Sequence, residues 1–226
     1  MKHTAFSRGS FGAVTCFVCM IAALLGFGCG KKADQSETRV SVKTGLPKGV
    51  DPMAPRTISL ADLVAMPEPP GVTANDPRYE KARIPAFSNP LGLKEGDAIT
   101  VRAYLHSITL MGDGDYALHF SASKDSQDNY IISEIPDDDD VSDHHLRMMV
   151  DNARDFIKRQ FLQGRDPART PGTTLADAPA IEITGQLFFN DRSVGPIAAD
   201  RQGLHRASNW QLHPGYDISL AQKPPQ

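Results

Sequence analysis
The chain reads as a mainly β protein: a five-stranded Greek-key barrel with one helix between strands three and four, behind a signal peptide and a proline-rich tether. Three observations predict this. The segment Ala98–Leu110 alternates strictly, with Ile99, Val101, Ala103 and Leu105 on one face and Thr100, Arg102, Tyr104 and His106 on the other. That pattern marks a half-buried strand. Further strand-like runs follow it, interrupted by a single long stretch whose apolar residues recur at three and four. The first 28 residues have the layout of an export leader.

The leader comes first in the chain. Lys2, His3 and Arg8 form a basic start, and residues 11–27 are an uncharged apolar run with Val14, Phe17, Val18, Met20, Ile21, Leu24 and Leu25. As a spanning helix the run falls short of the ~20 apolar residues a bilayer requires, and no stop-transfer pattern follows. A cysteine then stands among small residues, Leu25-Gly-Phe-Gly-Cys29-Gly. This stretch resembles a bacterial lipoprotein signal, which implies cleavage before Cys29 and lipidation of its thiol. The family pattern has an aliphatic residue three before the cysteine; here Gly26 holds that place and Leu25 lies one further back. The other cysteines, Cys16 and Cys19, lie inside the leader without polar partners, which argues against a redox or metal pair. Cleavage leaves an exported chain with neither a disulfide nor a stray thiol. Each buried methylene contributes ~0.8 kcal/mol, so the two or three acyl chains of such an anchor attach stably. Gly30 in the second mature position implies, by the same resemblance, compatibility with an outer membrane. The expected address is therefore the cell membrane or outer membrane, lipid-anchored and exported.

Residues 29–85 read as the lipidated N-terminus and a flexible tether. Pro47, Pro52, Pro55, Pro67, Pro69, Pro70, Pro77 and Pro85 forbid continuous helix or central strand there. One island, residues 57–66, has Ser59 to cap a short helix presenting Leu60, Leu63, Val64 and Met66. Near the end of the tether, Ile84, Phe87 and Leu91 are placed to pack on the barrel.

The barrel domain spans residues 86–221, with a tail at 222–226. After strand one, Gly112-Asp-Gly-Asp115 makes a hairpin turn. Strand two, 115–121, puts Tyr116, Leu118 and Phe120 on one face and His119 on the other. Strand three is 130–135. Asp137 to Asp140 form an acidic run that reads as a solvated loop; a calcium site of the EF-hand type lacks the glycine and the closing glutamate. Ser142 or Asp143 caps the helix, whose stripe is Leu146, Met149, Val150, Ala153, Phe156 and Ile157, and Gly164 ends it. Strand four is Ala180–Phe189, with Gly185 marking a bend or bulge. Strand five, 209–220, carries Trp210, Leu212 and His213, and Pro214 implies an edge or a bulge.

Strand, strand, strand, helix, strand, strand is the order of the OB-fold, and the domain resembles it. More narrowly, Ala103-Tyr-Leu-His106, Gly112-Asp-Gly-Asp-Tyr116 and Trp210-Gln-Leu-His-Pro214 resemble a set recurring in uncharacterised bacterial exported proteins. That likeness implies fold and location only. In the set a histidine directly follows the tyrosine; here Ala117 does, and His119 comes two later.

For function, the formal charge is −3, and removing Lys2 and Arg8 with the acid-free leader leaves −5. An acidic domain argues against a nucleic-acid partner. Candidate binding residues are Tyr104, His106, Asp113, Asp115, His119, Glu134 and His213, with Cys29 for lipid. No nucleophile elbow, phosphate loop or zinc-hydrolase motif occurs, so no catalytic or metal-ligating residue and no cofactor is assigned. Three readings stay open. The first is a lipid-anchored envelope module binding a protein or a small molecule. The second is an envelope hydrolase or metal-dependent enzyme using Asp113, Asp115, His119 and Glu134. The third is an oligonucleotide binder, which needs basic and aromatic residues on the face of strands two and three; those strands carry Tyr116, Phe120 and Tyr130 but no Lys or Arg.

Overall fold
In a computed structural model, which describes residues 39–80, 82–193 and 203–223, the five long strands close on themselves. They are β1 (Ala98–Leu110), β2 (Tyr116–Ser121), β3 (Ile131–Ile135), β4 (Ala180–Phe189) and β5 (Trp210–Leu220). β1 bonds β2, β2 bonds β3, β3 runs parallel to β5, and β5 bonds β4, which returns to β1. This is an OB-fold-like barrel. The leader and Cys29 lie outside the described residues. Among those described, no helix is long and apolar enough to cross a membrane.

β1 closes the barrel because it is long enough to serve two neighbours. Its first half pairs with β4, from Ala98 opposite Gln186 to Tyr104 opposite Ala180. Its second half pairs with β2, from Tyr104 opposite Ser121 to Leu110 opposite Tyr116. The register slips between Leu105 and Ser107. That bulge turns Ile108 inward in place of Ser107, so the interior file continues past the bend. Each half of β1 has a second edge, and both are covered. The two-residue strand Arg56–Thr57 pairs with Ile99 and Thr100, and Thr173–Thr174 pairs with Ser107 and Ile108. No long edge of β1 is left to template association.

The core is the inward file of each strand, including Ile99, Val101 and Leu105 of β1, Leu118 and Phe120 of β2, and Trp210 and Leu212 of β5. Pro214 stands in an interior strand, beside an irregularity. Thr184 pairs with Asp217, Gly185 with Gly215 and Leu187 with Leu212, so β4 and β5 fall out of step there. Two glycines allow the crossing. A Cβ on Gly215 would lie 2.4 Å from Ser133 Oγ, and one on Gly185 would lie 2.8 Å from the Pro214 carbonyl oxygen.

Helix α3 (His144–Phe161) is capped by Asp143, whose carboxylate accepts from the Leu146 amide at 2.8 Å. Leu146, Val150, Ala153 and Ile157 enter the barrel core. The acidic run is a short 3-10 turn, Asp138–Asp140, with Asp137 as its cap.

The tether expectation is corrected from residue 39 onward. Residues 39–80 and 82–85 follow the barrel surface closely. Two further helices lie here, α1 (Arg39–Thr44) and α2 (Leu60–Val64). Val42, Leu60, Leu63 and Met66 are buried, each contributing ~1.5–3 kcal/mol of apolar burial. Ser59 caps α2 as expected, but Val64 points to solvent. Ile84 is buried, and Phe87 stacks on Trp210 with centroids 6.2 Å apart. Proline density excludes regular ladders, yet side chains stand in for them. Asn89 accepts from the Leu91 and Leu93 amides and donates to the Phe87 and Leu93 carbonyls. Glu95 accepts from the amides of Ile84 and Phe189.

Candidate functional site
The sequence candidates separate into two groups. His106 is buried, and its Nε2 meets Ser121 Oγ at 2.9 Å and the Ser123 carbonyl at 3.0 Å. Burial holds its pKa low, with the Ser123 carbonyl opposing. Asp115 is buried too, and its Oδ1 accepts from the Asp137 amide at 3.0 Å. It ties the β1–β2 hairpin to the turn after β3. Burial pushes its carboxyl up to about 6, with Asp113 and Glu134 adding to the rise against the Asp137 bond. Tyr104 is half-buried where β1 changes partner. His119 stacks on Tyr130 with centroids 4.6 Å apart. These four residues have structural surroundings.

Asp113, Glu134 and His213 converge instead on one pocket of about 320 Å³. The β1–β2 hairpin supplies Asp113, β3 supplies Glu134 and β5 supplies His213. Sequence reasoning missed the rest of the lining. Arg39 and Lys43 come from α1, four residues apart and so on one face. Phe188 comes from β4, and Asp191 and Arg192 from the turn that follows it. The Arg39-Val-Ser-Val-Lys43 pattern was the one available signal, two cations on one side of a short helix whose Val42 faces the barrel.

Arg39 anchors this end. Its guanidinium makes a two-pronged pair with Glu95, both contacts 2.9 Å, and donates to the Phe189 carbonyl. Its Nε lies 3.6 Å from Asp191, and its Cζ sits 4.4 Å from the Phe188 ring centroid. Lys43 Nζ lies 2.6 Å from Glu134 Oε2. Burial alone would raise the Glu134 carboxyl; His213 and Lys43 outweigh it and hold the group low.

His213 is the anomaly. It is 2% exposed, and its ring stacks on Phe188 at 4.9 Å with 2° between planes. Nδ1 lies 3.6 Å from Glu134 Oε2, too far for a hydrogen bond. Both ring nitrogens lack a hydrogen-bond partner among the described residues. Burial drives its pKa down to about 4, with Glu134 opposing and Lys43 and Arg39 reinforcing, so the ring is neutral near pH 7. A neutral imidazole offers one donor and one acceptor. Gln211, two residues earlier and so on the same strand face, is likewise buried with both amide atoms unpaired.

No set of three His, Cys, Asp or Glu side chains is grouped as metal ligands among the described residues. Tyr116, Phe120 and Tyr130, placed by the oligonucleotide reading on a binding face, are all buried. They cannot stack on bases, which corrects that expectation. Compared with known proteins, the chain matches no protein-family model and no curated protein.

Proposed function
We propose that this chain is a lipid-anchored cell-envelope module that binds a small polar ligand in the pocket beside His213. The observation that carries the reading is His213 itself. A buried polar group without a partner costs roughly 1–3 kcal/mol, and the residue that carries this one is part of the wall of a space large enough for a ligand. The position agrees. OB-folds bind through the loops joining strands one to two and four to five, and here those loops contribute Asp113 and Arg192 to the lining. The mixed charge of the lining and the inward aromatic rings disfavour nucleic acid. The membrane side of the proposal rests on the apolar leader and Cys29.

Two experiments test it. Protein labelled in the histidine ring is titrated with a mixed library of small charged and neutral compounds. Saturable shifts at His213 support the reading, and a library that leaves His213 unmoved overturns it. Palmitate labelling of cells expressing the wild type and Cys29→Ser tests the anchor; an unlabelled wild type removes it.

A further inference from the structure
Within the proposed pocket, the charges that are already paired separate cleanly from those that are not. Lys43 neutralises Glu134, and Arg39 is held between Glu95 and Asp191. One arginine faces two carboxylates there, so a net negative charge stays, and two exposed groups at the mouth have no ion pair among the described residues. Asp113 is exposed on the β1–β2 hairpin, and its carboxylate accepts a long 3.4 Å contact from the Asp115 amide. Arg192 is exposed on the turn after β4 and has no ion-pair partner among the described residues. They have opposite signs and come from different loops. The same lining carries two exposed apolar side chains, Val40 at 61% and Met111 at 37% exposure. Deeper in lies the unpartnered, neutral His213 ring.

We infer that the pocket selects a zwitterion of amino-acid type, a free α-amino acid or a short peptide with both termini free. The ammonium group pairs with Asp113, the carboxylate with Arg192, and the apolar side chain lies along Val40 and Met111. A polar atom of the ligand completes the hydrogen bonding of His213. A polyanion meets Asp113, Glu134 and Asp191, and a polycation meets Arg39, Lys43 and Arg192, so either is opposed by like charge. The space of about 320 Å³ is at the small end for ligand sites. The inference rests on the pocket being a binding site, and its test separates the two ideas.

The full chain in detergent is titrated by calorimetry with L-leucine, Leu-Leu dipeptide, its N-acetyl and C-amide derivatives, glucose, inorganic phosphate and putrescine. The dipeptide and the free amino acid distinguish the two sources of the same chemistry. Losing one charge-assisted contact weakens binding by roughly tenfold or more, so the acetyl and amide derivatives each bind at least that much worse. Asp113→Asn removes discrimination against the acetyl group, and Arg192→Gln removes discrimination against the amide. Both residues are exposed, so both variants keep the fold. Blocked derivatives that bind as well as the parent overturn the inference. Phosphate, glucose or putrescine binding while zwitterions do not overturns it and leaves the pocket reading standing. Silence from every compound removes both.

Discussion

Arg154 and Arg39 each sit over a buried aromatic ring, and they do different work. Arg154 of α3 lies 3.8 Å from the Tyr116 centroid. It donates to the carbonyls of Gly114, Ile135 and Pro136, and Asp137 is 3.8 Å away. Tyr116 in turn donates to Asp166. The hydrogen-bonding groups in that cluster have partners. Arg39 lies over Phe188, and its own charge is matched by Glu95, yet on the same ring rests His213 with neither nitrogen bonded. One cluster closes a helix onto a barrel. The other joins the N-terminal segment to the barrel and stops short of completing its polar groups. Burial alone does not set the two clusters apart; a buried polar group left without partners does.

Arg39 is the position where a substitution costs most. Arg39→Ala leaves Glu95 charged and buried, a loss of about 3–5 kcal/mol in urea unfolding. A loss under about 1 kcal/mol would mean that the N-terminal segment is not held by this pair. Arg154→Met abandons three carbonyls and a cation–π contact, so about 2–4 kcal/mol should be lost with the pocket unaffected.

The pH dependence comes next in size. His213 has a folded pKa of about 4 against 6.5 ordinarily, so its contribution to stability is lost as pH falls from 6.5 toward 4. Asp115 has a folded pKa of about 6 against 3.8, so its contribution is greatest at low pH and is lost as pH rises through 6. The two oppose each other between pH 4.5 and 6.5. Asp115→Asn should therefore lose about 2 kcal/mol on acidification across that window, and His213→Leu should gain up to about as much. His106, also held low, adds a background common to all three proteins. Identical slopes of the urea midpoint against pH in the wild type and both variants would refute the assignment.

The smallest contrast is between the two buried histidines near pH 7. His106→Leu removes its contacts with Ser121 Oγ and the Ser123 carbonyl, which keep each other as partners, and should cost about 1 kcal/mol. His213→Leu breaks no hydrogen bond, so stability should stay level or rise by up to about 1 kcal/mol. A larger loss at His213 than at His106 would show that the pocket histidine is structural. A stabilising substitution that abolishes ligand binding is the trade expected of a binding residue.

Much of the barrel was legible because its signals are local. Alternation in Ala98–Leu110, the stripe of α3, the Asp143 cap and Gly185 each act within a few residues, and each stands where the pattern placed it. Three of the pocket residues, Asp113, Glu134 and His213, were visible as chemistry-bearing types, but nothing in their spacing separated them from Asp115, His106 or Tyr104. Arg39 and Lys43 were hidden by the proline-rich composition around them, since proline reports what a backbone cannot form and says nothing of what it can lie against.

The sequence by itself determined the strand order, the helix between strands three and four, and the residues that fill the core, because periodicity and turn chemistry are encoded in neighbours. Tertiary structure alone decided which polar groups meet. Lys43 and Glu134 are 91 residues apart, Arg39 and Glu95 are 56 apart, and both pairs exist only once the barrel has closed and the N-terminal segment lies across it. Whether a buried nitrogen finds a partner depends on such distant arrivals, and that is why His106 and His213, alike in sequence, differ in the folded chain.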